Sequence, residues 1–120
     1  MKKDLLGWVL AGMLLAGSAG AEAPIAIGHS VSLTGGSSMW GLAEQNALDM
    51  LVEELNAAGG VLGRKLEIIH YDNRGDAVES VNVARRLVDD GVVAVIGPAQ
   101  SGNSIASAPV FENAGIPMVV

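Results

Sequence analysis

Five consecutive apolar residues, Val92 to Ile96 (VVAVI), offer no polar face to water and run directly into Gly97-Pro98. A strand with that pattern is covered on both sides, as a parallel strand is between two layers of helices. Parallel strands need long crossovers, so this run constrains the rest of the chain to alternate strands with helices.

The flanking segments fit that constraint. Ile25 to Val31 (IAIGHSV) is short and β-branched, a first strand, and a Gly- and Ser-rich loop from Ser32 to Trp40 follows it. Gly41 to Ala58 places Leu48, Leu51, Val52 and Leu55 at helical spacing, with Glu44, Gln45, Asp49, Glu53 and Glu54 on the other side. Gly59 and Gly60 end that helix. Lys65 to Tyr71 (KLEIIHY) reads as the second strand, closed by the turn formers Asp72-Asn73-Arg74-Gly75.

Asp76, with Glu79 three residues on, marks a second helix N-terminus. Its buried stripe is Val78, Val81, Ala84, Leu87 and Val88, and Gly91 stops it. After VVAVI a third helix is predicted from about Gly102 to Asn113, with Ile105, Ala106, Val110 and Phe111 inward. Pro109 falls inside it and predicts a kink or a break into two pieces. Gly115 ends that segment and Ile116 to Val120 (IPMVV) begins a fourth strand. A last strand with nothing to cover its far side reads as part of a larger, truncated unit.

The order β-α-β-α-β-α-β, with right-handed crossovers, predicts an α/β fold with a doubly wound, mostly parallel sheet. In a strand order 2-1-3-4 the chain reverses direction between strands one and three, and ligands bind at such switch points. The loops 32–40 and 97–103 then meet at one end of the sheet. The second of these, Gly97 to Ser104 (GPAQSGNS), joins a strand to a helix start. The unpaired N–H groups and positive dipole end there suit a carboxylate or phosphate.

Residues 1–21 have a different character. Lys2 and Lys3 precede an apolar run from Leu5 to Ala16, and Ser18-Ala19-Gly20-Ala21 supplies small residues, the pattern of a secretory signal peptide cleaved after Ala21. The run is short of the roughly 20 residues that span a bilayer. The chain has no Cys, which excludes a lipidated Cys, disulfides and thiolate metal sites. Its 7 basic and 13 acidic residues give a net charge of −6, and removing Lys2, Lys3 and Asp4 makes it −7. An acidic surface argues against nucleic acid or anionic lipid as partner. About one hundred residues remain after the leader, enough for one modest core built from Val, Ile, Leu and Ala.

Other chemistries fit poorly. Gly36 to Gly41 spells GxxxxG, but Leu42 and Ala43 stand where a phosphate loop needs Lys and Ser or Thr, and no GxGxxG follows the first strand. Ser101, His29 or His70, and Asp72 could be assembled into a triad only on residue type, and no GxSxG elbow is present. Asp72, Asn73, Asp76 and Glu79 lack the spacing of a calcium loop. No cofactor, metal or catalytic residue is expected. Trp40, in a chain with 3% aromatic residues, is either a packing plug over the first helix or one wall of a ligand site.

The runs IAIGHSVSLTGGSSMWG, NAAGGVLGRKLEIIHYDNRGD and ARRLVDDGVVAVIGPAQSGNSIASAPVFENAGIPMVV together resemble the N-terminal lobe of the Leu/Ile/Val-binding proteins, over Ile25 to Val120. These are extracytoplasmic solute receptors of bacterial ABC importers with the type I periplasmic binding protein fold. The resemblance implies residues 22–120 as a truncated N-terminal lobe, a periplasmic location, an ABC permease as partner, and a monomer when complete.

It also implies the site. Ser101 donates to the ligand carboxylate, Trp40 closes over the ligand side chain, Ala99 and Gln100 line the side-chain pocket, and Gly102 and Asn103 complete the turn around the carboxylate. Gln100 is polar where a purely aliphatic pocket favours an apolar or Cys neighbour, which argues against a branched-chain ligand; the resemblance includes members that instead bind amides, urea or aromatic acids. A ligand-sensing regulator or receptor ectodomain on the same fold is the alternative. One lobe alone is expected to bind weakly, since the partner of the ligand ammonium belongs to the second lobe.

Overall fold

The computed structural model describes residues 20–120, and the predicted leader lies almost wholly outside them. Four strands form one parallel sheet in the order β2-β1-β3-β4, with β1 Ile25–Val31, β2 Leu66–Asp72, β3 Ala94–Ile96 and β4 Met118–Val119. The crossovers are α1 Ser38–Ala57, α2 Ala77–Asp89 and α3 Ser101–Ala114. The sheet order and the parallel pairing are those predicted.

Alternation along β1 separates two layers. Gly28 faces α2 so closely that a Cβ there would lie 2.8 Å from a Leu87 methyl. On this face Val83, Ala84, Leu87, Val92, Val95 and Phe111 form the core, with Ile69, Tyr71 and Met118 packed against it. His29 and Val31 point to the opposite face, where α1 lies. Gly41 is the one fully buried residue of α1.

Several positions depart from the predicted stripes. Val78 and Ile105, expected inward, are 71% and 76% exposed, and Leu51 is 49% exposed. Ser80, Asn103, Ser104 and Ser107 are buried instead. The buried hydroxyls satisfy themselves on their own helices: Ser80 donates to the Asp76 carbonyl at 2.8 Å and Ser107 to that of Asn103 at 2.9 Å. Small side chains with internal hydrogen bonds let α2 and α3 approach each other closely, and larger apolar residues are turned outward.

Two further details differ. α3 continues as one helix through Pro109. That residue lies on the exposed side, where water can reach the carbonyl that lacks a helical donor. β3 is three residues long, because Val92 N–H bonds back to Leu87 and closes the end of α2. Val93 N–H already joins the sheet by donating to Ala26 at 2.9 Å.

Candidate functional site

The C-terminal ends of β1, β2 and β3 deliver three loops to one edge of the sheet, and Asn73 ties them together. It is fully buried; its Oδ1 accepts from Ser32 Oγ at 2.8 Å and from the Gly75 N–H at 2.9 Å, and its Nδ2 donates to Ser30 Oγ at 3.2 Å. Gln100 Nε2 donates to Ser32 Oγ at 3.1 Å, which joins the β3–α3 loop to the same network.

Asp72 braces the first loop from the side. Its carboxylate accepts from the N–H groups of Leu33, Thr34 and Arg74 and from the Thr34 hydroxyl. Partial burial pushes its pKa up, and these hydrogen bonds outweigh that effect and hold it below the ordinary carboxylate value.

Two glycines set the spacing. A Cβ on Gly41 would lie 2.0 Å from the Ser32 carbonyl oxygen, so only glycine lets α1 begin against the β1 loop. Gly97 has φ +79°, and a Cβ there would come within 2.4 Å of the Ser30 carbonyl oxygen. The result is a cavity of about 300 Å³ lined by Ser32, Ser37, Trp40, Gly41, Glu44, Ala99 and Gln100.

Of the residues predicted for a site, Trp40, Ala99 and Gln100 line this cavity together. Ser101 and Gly102 are the exposed first residues of α3, beside the cavity and outside its lining, and Gln100 gives the helix no side-chain cap. Asn103 is buried and turns inward, with its Nδ2 3.4 Å from Gln100 Oε1. Ser32, Ser37 and Glu44 were not singled out from the sequence. The Gly41 approach is what brings them in, and a predicted outer-face Glu carries no mark of it.

Beneath Glu44, on the α1 side of the sheet, two histidines meet. His29 and His70 are register partners on β1 and β2, with Nδ1 atoms 2.8 Å apart. His70 Nε2 lies 2.9 Å from Asp49 Oδ1, and His29 Nε2 lies 3.8 Å from Glu44 Oε2. Burial, reinforced by the neighbouring His70, lowers the His29 pKa to about 4.

The residues considered for other chemistries have different employment. Asp72 is engaged by the first loop, the histidines lie under α1, and Ser101 opens α3 without a bond to any of them. Asp76 caps α2 by accepting from the Glu79 N–H at 2.8 Å. Among the described residues no group of three His, Asp or Glu side chains is placed to hold a metal ion, and no helix is long and apolar enough to cross a membrane.

The family model described as "Periplasmic binding protein" matches residues 24–120. The chain belongs to the periplasmic binding protein family. A curated relative within it, Leu/Ile/Val-binding protein homolog 7 of Brucella suis, is 37% identical over 121 aligned positions, which cover 98% of this chain and 29% of the relative.

Among solved structures, the branched-chain amino acid transporter substrate-binding protein LivJ of Streptococcus pneumoniae, in complex with isoleucine, superposes with a TM-score of 0.77 and 36% identity, covering 79% of this chain and 28% of LivJ. A fatty acid ABC transporter substrate-binding protein from Thermomonospora curvata superposes with a TM-score of 0.71 and 27% identity, covering 79% of this chain and 25% of that protein. The periplasmic binding protein chain described here thus spans less than a third of the length of these relatives. They share its fold while their names describe different solutes.

Proposed function

We propose that this chain supplies the N-terminal lobe of an extracytoplasmic solute-binding protein that delivers an amino acid, or a similar small carboxylate, to an ABC permease in the inner membrane. The observation that carries this reading is the cavity at the ends of β1 and β3. Trp40 stands on one side of it, Ala99 and Gln100 on the other, and the exposed start of α3 lies beside it.

A helix start without a side-chain cap favours an anion, and Ser101 adds a hydroxyl donor at that place. Gly102, the second residue of α3, belongs to the same exposed helix start, while Asn103 acts from behind through Gln100. Trp40, 69% exposed here, is the surface that a second lobe closes over when the two halves hinge shut around a ligand. The protein binds and releases its solute unchanged and is not an enzyme. Support for this comes from relatives whose names describe binding proteins. In this reading residues 1–21 are a leader, residues 22–120 belong to the lobe, and the mature protein is a periplasmic monomer.

Isothermal titration of the full-length mature protein against amino acids and amides tests the reading. A saturable heat with at least one of them, weakened tenfold or more by Ser101→Ala, is the expected result. No heat with any of them, or an unchanged affinity in Ser101→Ala, overturns it.

A further inference from the structure

The cavity holds one ionisable group. Of its seven lining residues only Glu44 carries a charge, and the others offer hydroxyls, an amide, an indole and small apolar surface. Glu44 follows Trp40 by four positions on α1, so both project from the same face of the helix into the same space. Its side chain is 40% exposed.

Among the described residues the ion pairs of Lys and Arg include none to Glu44, whose one basic neighbour within 4 Å is His29. Burial, and then His70, keep His29 neutral down to about pH 4. Hydrogen bonding makes the relation less favourable still. If neutral His70 donates from Nε2 to Asp49, its Nδ1 must accept from His29 Nδ1, and His29 then turns the lone pair of Nε2 toward the Glu44 carboxylate. Glu44 therefore faces the cavity as a carboxylate whose charge the protein leaves for another donor.

Pressing an aliphatic side chain against such a group would remove its water and return no hydrogen bond, which is costly. A ligand N–H or cation would replace the water, and the Trp40 ring beside it would add a cation–π contact. On the reading that this cleft takes a solute carboxylate, we propose that Glu44 is its specificity-determining residue. It receives a cationic or amide nitrogen of the ligand side chain against Trp40. The cognate solute is then an amino acid with a second nitrogen, and not a branched aliphatic one.

The test is calorimetry on the full-length mature protein with leucine and isoleucine, with lysine, ornithine and arginine, and with glutamine and asparagine. The expected result is that one nitrogen-bearing ligand binds at least tenfold tighter than leucine. In Glu44→Gln that ratio should fall tenfold or more for a cationic ligand, while Glu44→Asp, which keeps the charge, should retain part of it. A thermal melt of each variant shows that it is folded. Tightest binding of leucine or isoleucine overturns the inference and leaves the solute-binding reading standing. So does an equal loss for leucine and lysine in Glu44→Gln, which would place Glu44 on the α-ammonium. No heat with any ligand would instead remove the reading on which the inference rests.

Discussion

His29 and His70 sit side by side on β1 and β2, 41 residues apart in the chain, with 2.8 Å between their Nδ1 atoms. One must donate and the other accept, so the proton state of either ring dictates that of its neighbour. An added proton on His70 would let both its nitrogens donate, to Asp49 and to His29 Nδ1. His29 would then carry its own proton on Nε2, toward Glu44. The pair links Asp49 of α1 to Glu44, which lines the cavity.

His29 makes stability pH-dependent. Its folded value of about 4 lies below its ordinary 6.5, so between those limits the unfolded chain binds a proton that the folded chain refuses. The stability associated with His29 is fully present above about pH 6.5 and is lost as pH falls toward 4, by on the order of 3 kcal/mol. Chemical denaturation at half-unit intervals should show this slope in the wild type and a flatter one in His29→Gln. Equal slopes would contradict the assignment.

Asp72 acts in the same sense as His29, with a carboxylate as the group that refuses the proton. Its folded pKa is depressed, so its contribution is present above the ordinary carboxylate range and disappears as pH falls through the lowered value. Asp72→Ala should cost about 1 kcal/mol through the lost hydrogen bonds to the Leu33, Thr34 and Arg74 amides, which lie partly open to water. Hydrogen exchange should accelerate at those three amides before it does in α2. A uniform acceleration would show that the loop is held by something else.

Gly41 and Gly36 provide a matched pair. Gly41→Ala forces a Cβ against the Ser32 carbonyl and should cost about 1–3 kcal/mol. A Cβ on Gly36 meets nothing within 4 Å, and Gly36→Ala should change stability by no more than about 0.5 kcal/mol. Melting curves that rank the two the other way would show that α1 can shift away from β1 without penalty.

Trp40 can be separated from a packing role by measuring two quantities on one variant. A residue 69% exposed contributes little to the lobe it stands on, so Trp40→Ala should shift stability by no more than about 0.5 kcal/mol. If it is a wall of the binding site, the same variant of the full-length protein should bind its solute at least tenfold more weakly. A large loss of stability with affinity intact would make it a plug after all.

Much of this molecule could be read along the chain, because its determinants are local. VVAVI is apolar throughout and supplies a strand, although Val93 near its start is 56% exposed; the Gly59-Gly60 and Gly91 stops end their helices, and Asp76 caps its helix within three residues. Strand number, helix number and the parallel sense follow from such signals; the order β2-β1-β3-β4, on which the meeting of the loops that carry Trp40 and Gln100 depends, is a condition that the tertiary structure meets.

What the sequence could not decide is which face of each element is covered, since periodicity describes a helix by itself while burial depends on what lies across from it. Ile105 looks like core and is exposed. Ser107 looks like surface and is buried, its hydroxyl satisfied by the Asn103 carbonyl of its own helix. In the same way Glu44 and Asp49 read as the solvated side of α1. The absence of a Cβ at Gly41 seats that helix on β1, and only then do the two carboxylates stand over the His29–His70 pair with Glu44 facing the cleft.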